Sequence, residues 1–400
     1  MIKRNLYLNK IIPFVDKDLI KVLIGVRRSG KTVLLNQIKE YIESEKRKDD
    51  RIVYLNFESY ENKHMLNGEN LYKKIIDIAK ESKGKIYLFF DEIQEVNEWQ
   101  KIINSFKVDL NCDIYLTGSN SNLLSGELAT YIAGRYVKFN IYPFTFKEVV
   151  ELYKSNKKTY NNKDLFFDYL KFGGLPQRFE LPQDEMIKAY LDDVYNTIVL
   201  KDIVSRNKIK DIDMLKKILN YLLDNIGNTF SANSVANFLR SEKRKITVDT
   251  VLNYIEYITS AMIVSSVNRY DLKGKKVLTT NKKYFSADIG LRNVVKNSQI
   301  TDYPKLFENI IYLEMLSRGY EVRVGKLGDK EVDFICYKNK EVIYIQVTYI
   351  LNEKSTIDRE FSGLQSIKDN HSKYVISLDE VDFSRNGIVH KNIINFLLED

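Results

Sequence analysis

The chain has 400 residues, 44% apolar and 29% charged, with 62 Lys and Arg against 54 Asp and Glu for a net charge of +8. That length allows two or three domains, and that balance excludes wholesale disorder. Two cysteines, Cys112 and Cys336, and three scattered histidines exclude a disulfide scaffold and any zinc-ligand spacing.

Residues 1–10 alternate charged with apolar positions and carry no signal-peptide core. No window approaches 18 consecutive apolar residues, so no transmembrane helix is expected. The expected location is the cytoplasm. The positive charge fits a nucleic-acid partner and equally fits a plain Lys-rich surface.

The first 145 residues alternate short apolar runs with amphipathic stretches. Lys21 to Gly25 reads as a buried strand. Thr32 to Ser44 reads as a helix, with Val33, Leu34, Ile38 and Ile42 on one face. Arg51 to Phe57 is a strand and Leu71 to Ala79 a helix. Lys85 to Phe90 is an apolar strand ending in Asp91, and Asn97 to Leu110 is a helix. Asp113 to Leu116 is a strand, followed by a loop and a short helix. Tyr136 to Tyr142 is the last strand. This alternation predicts a parallel sheet covered on both faces.

From Phe144 to about Ser205 the pattern is helical, broken at Gly173-Gly-Leu-Pro176. Three short helices follow between Ile209 and Ile263. Strand-like pieces at Ile263 to Tyr270 and Lys276 to Leu278 then flank a turn at Asp271 to Lys275. Three helices and a hairpin make the winged-helix pattern. From Leu306 the order is helix, three strands, helix, strand, helix, a second and smaller α/β unit. The expected divisions are 1–150, 151–205, 206–298 and 299–400.

Gly25-Val-Arg-Arg-Ser-Gly-Lys-Thr32 fits G-x-x-x-x-G-K-[ST] between an apolar strand and a helix. The glycines let backbone N–H groups wrap a phosphate, and the helix N-terminus points positive charge at it. Gly25, Arg28, Ser29, Gly30, Lys31, Thr32 and Val33 are the expected ATP contacts. Lys31 reaches the β- and γ-phosphates, and the Thr32 hydroxyl is offered to Mg²⁺. Sixty residues beyond Lys31, the apolar strand ending in Asp91 and Glu92 supplies the second half. Asp91 holds Mg²⁺ through water, and Glu92 orients or deprotonates the attacking water. Gln94 and Glu95 belong either to the site or to its rim. The third strand ends in Thr117 and Asn120, and either could sense the γ-phosphate. Arg135 precedes the last strand and reads as a transition-state arginine in its own chain or a neighbour's, or as a surface arginine. Arg27 and Arg28 could touch nucleotide or a partner.

These segments, with Phe89-Phe-Asp-Glu-Ile-Gln94, Leu116-Thr-Gly-Ser-Asn120, Gly134-Arg135 and Tyr142-Pro-Phe-Thr-Phe-Lys-Glu148, resemble bacterial and archaeal AAA-type ATPases joined to a C-terminal domain of unknown function. Gly173-Gly-Leu-Pro176 and the segment Asn196 to Ile203 are similar to the same family, so the likeness covers nearly the whole chain. It implies an α/β P-loop AAA-type sheet, Mg-ATP, a helical and winged-helix region, and a small restriction-endonuclease-like α/β domain.

Nucleases of that last fold hold metal with an Asp and an E/Q-x-K on adjacent strands, the lysine positioning water. Asp333, Gln346 thirteen residues on, and Glu308 on the preceding helix resemble that set. Thr348 stands where catalysis wants lysine. Lys340 and Lys354 are near in sequence, but neither falls on a predicted strand. A nucleic-acid- or protein-binding fold without nuclease activity is therefore expected. In the winged-helix candidate, Arg240, Lys243, Arg244 and Lys245 precede the expected recognition helix, Thr247 to Ile258, and suit phosphate contacts. That helix itself carries two acids. The expected function is Mg-dependent ATP hydrolysis that drives conformational change, acting on DNA. A nucleotide-gated protein-binding scaffold without turnover and an ATP-switched nuclease are the rival readings.

Overall fold

The structure, a computed structural model, describes residues 2–45, 47–124, 134–296 and 302–399. The chain divides into two compact units, Met1–Tyr142 with Ser260–Met262, and Pro143–Thr259 with Ile263–Asp400.

The first unit holds five strands: β1 Ile20–Ile24, β2 Arg51–Asn56, β3 Ile86–Asp91, β4 Cys112–Gly118 and β5 Tyr136–Asn140. All pair in parallel, in the order β2-β3-β4-β1-β5. Its main helices are α1 Asn5–Ile11, α2 Lys31–Glu45, α3 Gly68–Glu81 and α4 Trp99–Asp109. Strand residues alternate between two cores, as a period of two dictates. Ile20, Val22, Ile24, Leu88, Phe90, Ile114 and Leu116 pack with Leu71, Ile75, Ile103 and Phe106 of α3 and α4. Leu23, Tyr87, Phe89 and Tyr115 pack with Ile11 of α1 and Leu34, Leu35, Ile38 and Ile42 of α2. Each such buried side chain contributes about 1.5–3 kcal/mol. Lys21, the one charge inside β1, is fully buried and bonded to Asp113. Of the short helix expected after β4, a 3-10 turn at Ser121–Leu124 is described, and the rest lies outside the described residues.

The second unit begins with α5 Phe146–Ser155, opened by a reciprocal Thr145–Glu148 cap. It continues with α6 Asn162–Phe172 and α7 Asp184–Thr197, which runs on as a π-helix over Ile198–Ser205. Then come α8 Ile212–Asp224, α9 Ala232–Ser241 and α10 Val248–Ser260, followed by β6 Val264–Asp271, β7 Lys276–Ser286 and α11 Ile289–Lys296. The chain ends with α12 Tyr303–Ser317, β8 Glu321–Leu327, β9 Lys330–Lys338, β10 Glu341–Val347, α13 Lys354–Gln365, β11 Ser372–Ser377, β12 Val389–Asn392 and α14 Ile393–Leu398.

Gly173 ends α6 at φ +73°, where a side chain is strained. A Cβ there would also stand 2.0 Å from Asp288 Oδ1. The buried Asp288 carboxylate accepts from the backbone N–H groups of Gly174 (2.7 Å), Gly290 (2.8 Å) and Leu291 (3.2 Å). The Arg178 guanidinium donates to the Gly173 carbonyl at 2.7 Å from the other side. The helix break is thus a tightly bonded joint.

The strands form one mixed sheet, β12-β11-β10-β9-β8-β6-β7. The hairpin of the expected winged-helix pattern is hydrogen-bonded into it, because β6 pairs with β8 in parallel at Arg269, Tyr270 and Asp271. The structure therefore places the hairpin and the C-terminal strands in one sheet, and the division expected at 298/299 lies outside the described residues. Several elements differ from the sequence expectation, the helices α1 and α11 among them, which the sequence reading did not anticipate. β7 runs eight residues past Leu278, and β12 is additional. The extension was hidden because its register breaks between Val267 and Arg269 of β6 and because Lys282 and Lys283 interrupt its apolar character.

Candidate functional site

In a parallel sheet the strand ends gather on one edge, and β1, β3 and β4 deliver their last residues there. The loop after β1 needs its glycines. A Cβ on Gly25 would lie 2.1 Å from the Ile141 carbonyl oxygen, and Gly30 takes φ +93°. Arg28 also adopts a left-handed conformation, φ +65°. Ser29 is fully buried, and its Oγ has no hydrogen-bond partner among the described residues. Such an orphaned hydroxyl inside a glycine cradle at the start of a 15-residue helix fits a phosphate ligand. Lys31 donates to the carbonyls of Gly25 (3.0 Å) and Val26 (3.2 Å), and its Nζ lies 3.7 Å from Glu92 Oε1.

Asp91 closes a strand that is buried at every position. Its carboxylate accepts from Thr117, from Tyr54 (3.2 Å) and from Asn56 (3.3 Å), and it is also bonded by Thr32. Burial raises its pKa, the threonine hydroxyls offset this only in part, and the Glu92 charge adds to it. A carboxylate short of positive charge beside the Thr32 hydroxyl fits an Mg²⁺ site. Glu92 sits in the left-handed region at φ +55°, and its N–H donates to Thr117 Oγ1 at 2.9 Å. Burial alone would raise the Glu92 carboxyl, but the Lys31 ammonium and the Gln94 amide hold it below its ordinary value. At the rim Arg27 pairs with Glu58 at 3.2 Å.

In the second unit, Glu308 of α12, Glu331 and Asp333 of β9 and Lys283 of β7 meet. Lys283 Nζ is 2.5 Å from Glu331 and 3.7 Å from Glu308, and Arg269 lies 3.8 Å from Glu331. Asp333 accepts from the Val347 N–H at 2.8 Å. Gln346 turns its amide to Glu360 at 2.9 Å. Burial lifts Glu308 to about 8 and Asp333 to about 6, while the surrounding carboxylates raise Lys283 in spite of its burial. Among the described residues no group of three His, Cys, Asp or Glu is arranged to hold a metal ion. Thr348 is buried, with its N–H on the Ile376 carbonyl. Between α9 and α10, Arg240, Lys243, Arg244, Lys245, Thr247 and Thr250 line a hollow of about 610 Å³.

Comparison with known proteins places the chain in a family. An uncharacterized protein of Haemophilus influenzae is 40% identical over 378 residues, covering 94% of this chain and 93% of its own. An uncharacterized protein of Methanocaldococcus jannaschii is 33% identical over 374 residues, covering 90% of this chain and 80% of its own. The chain belongs to their family. Residues 17–150 match the AAA domain, and residues 163–302 match a domain of unknown function (DUF8612). AMPPCP-bound DnaA from Aquifex aeolicus superimposes with a TM-score of 0.35 and 15% identity, over 64% of this chain and 88% of its own, too loosely to carry an argument.

The AAA domain brings together Gly25, Ser29, Gly30, Lys31, Thr32, Asp91 and Glu92. Val33 lies in the first turn of α2. Thr117 is the group bonded to both acids, whereas Asn120 stands two residues past the end of β4. Gln94 belongs to the site, and Glu95 follows it in the same short turn. Arg135 is on the opposite edge of the sheet. Its carbonyl accepts from Ile20, the first residue of β1, and its guanidinium bonds Asn104 at 3.2 Å. One five-residue strand, roughly 16 Å, separates it from its own phosphate loop.

Sequence reasoning missed four contributors, three in the AAA domain and one in the second unit. Tyr54 and Asn56 end β2, and only the strand order reveals that they flank Asp91. Arg4 is 1% exposed and donates to the carbonyls of Ser29 and Tyr142, both at 2.9 Å, with its guanidinium 4.5 Å above the Tyr7 ring. Nothing in the local sequence marks it. Lys283 was missed with the end of β7. Lys340 sits in the β9–β10 turn and Lys354 opens α13, so neither takes the position that Lys283 holds.

Proposed function

We propose that the protein hydrolyses Mg-ATP and uses the cycle to change conformation while acting on double-stranded DNA. One observation carries the reading: Lys31, Thr32, Asp91, Thr117 and Glu92 converge at the mouth of a glycine cradle with an orphaned buried hydroxyl. Thr32 and Asp91 would hold Mg²⁺, which when bound neutralises phosphate charge. Lys31 leaves the loop carbonyls for the β- and γ-phosphates. Glu92 accepts a proton as water oxygen bonds to the γ-phosphorus. The bond from that phosphorus to the bridging oxygen breaks, and its electron pair leaves with ADP. Thr117 keeps the two acids in register. Asn120 borders the γ-phosphate side.

Arg135, remote from its own loop, is offered to the nucleotide of a neighbouring copy. Turnover per chain should then rise with protein concentration, and Arg135→Ala should remove that rise. A rate independent of concentration in both proteins would count against the neighbour role.

The second unit supplies the DNA contact, with a winged-helix element at 206–298 beside a nuclease-like element at 299–400. The basic hollow between α9 and α10 supports this, because Lys243 and Lys245 carry no carboxylate partner among the described residues. The outward residues of α10, Asp249, Leu252, Asn253 and Glu256, are acidic or neutral. Contacts to phosphates rather than to bases follow, so binding should be salt-sensitive and indifferent to sequence. Phosphate release should rise on adding duplex DNA, and Lys243→Glu with Lys245→Glu should abolish that rise while leaving the basal rate. Turnover indifferent to DNA would instead assign the second unit to a protein partner. ATP binding without turnover in either condition would favour a nucleotide-gated scaffold.

A further inference from the structure

We infer that Lys283 is a resident cation, its ammonium filling from within the fold the place at Glu308, Glu331 and Asp333 that a divalent cation would otherwise take. The inference is independent of the ATPase reading. Glu308 of α12 and Glu331 of β9 meet at Lys283, and the buried Asp333 is near enough for its charge to act on the same ammonium. With Glu308 16% and Glu331 34% exposed, the cluster opens to solvent on the Glu331 side, and such a convergence of carboxyl groups needs positive charge. In a metal-dependent hydrolase of this layout a divalent ion supplies it. Here a side chain from a different part of the sheet does. Lys283 is 4% exposed and lies 2.5 Å from Glu331 and 3.7 Å from Glu308.

Three features make the ammonium an occupant and not a passing neighbour. Its strand is fixed on both sides of the cluster: Lys283 pairs with Val267 of β6 and forms a bridge with Thr229. The chain closes over Glu308 at Gly227, where a Cβ would stand 2.9 Å from Glu308 Oε2. That leaves little room for the waters that Mg²⁺ keeps when it binds. Gln346, the third expected ligand, gives its amide nitrogen to Glu360, and its Oε1 faces the Asp333 N–H at 3.3 Å. A divalent ion entering this cluster must therefore expel a buried, tethered charge and re-aim an engaged amide. Substitution of the usual lysine by Thr348 fits the same picture, because a chain that has moved its cation onto the carboxylates has no metal-bound water for a second lysine to position.

The experiment uses the full-length chain without nucleotide. Mn²⁺ binding is read by electron paramagnetic resonance, and thermal unfolding is read with and without Mn²⁺. The wild type should show no Mn²⁺ binding that Asp333→Asn removes. Lys283→Met should unfold at lower temperature and gain Mn²⁺ affinity by about tenfold or more. Mn²⁺ should restore its unfolding temperature, and Lys283→Met with Asp333→Asn should lose both effects. Lys283→Arg should behave as the wild type. Should Lys283→Met fail to fold alone, refolding it in Mn²⁺ should recover it. Asp333-dependent Mn²⁺ binding by the wild type would overturn the inference. So would a Lys283→Met chain, folded or refolded, that takes up no metal.

Discussion

Replacing Glu92 by Gln should leave ATP binding intact and slow phosphate release by about 10²–10⁴-fold, the usual worth of a positioned general base. Gln keeps the size of the side chain and the Thr117 bond, which is made by the backbone of residue 92. The left-handed backbone at φ +55° is equally strained for either residue. What is lost is the ability to accept a proton. The native carboxylate is kept ionised by the Lys31 ammonium 3.7 Å away and by the Gln94 amide. It is therefore available as a base at neutral pH without any further partner. Binding of a fluorescent ATP analogue and single-turnover phosphate release, measured on the same preparation, separate the two effects. Parallel loss of binding and turnover would make Glu92 a structural prop, and an unchanged rate would move the base elsewhere.

The second large effect is on stability. Asp288→Ala should cost the second unit about 3 kcal/mol or more, since it orphans three buried backbone N–H groups at about 1–3 kcal/mol each. Those groups, on Gly174, Gly290 and Leu291, lie on two segments far apart in sequence, which the carboxylate joins together with the Asn293 amide bonded to the Leu170 and Lys171 carbonyls. Asp288 is 1% exposed, so water cannot easily replace it. Urea unfolding should show an earlier transition for the variant, with ATP binding by the first unit retained below that transition. A midpoint shift within error would mean that the Gly173–Pro176 loop is held by its other bonds, from Arg178 to the Gly173 carbonyl and from the Phe144 N–H to the Gly174 carbonyl.

The convergence of the glycine loop with the end of β3 was legible because the residues concerned are nearly contiguous. One loop and one strand end carry Lys31, Thr32, Asp91 and Glu92, and each has a residue type with few other uses in that pattern. The choice between Thr117 and Asn120 was not legible, because it depends on how far β4 extends before turning. Tyr54 and Asn56 needed the strand order, and Arg4 needed the fold to bring the chain's start against Ser29. The helix break at Gly173 could be read from its glycines. Its anchor could not, since Asp288 lies 114 positions from Gly174. Lys283 stayed hidden because a buried lysine lengthens a strand in a way that alternation cannot reveal. In each case, contacts local in sequence were read and partners supplied by topology were not.

The pairing of β6 with β8 has a mechanical meaning. A wing that ends in solvent can pivot on its turn, but this hairpin is stitched through β8 to β9, the strand that carries Glu331 and Asp333. Shearing it away would break the ladder at Arg269, Tyr270 and Asp271 and pull Lys283 off Glu331. From β6 through β12 the sheet therefore acts as one plate. A displacement of the hairpin is felt at the Lys283–Glu331 pair.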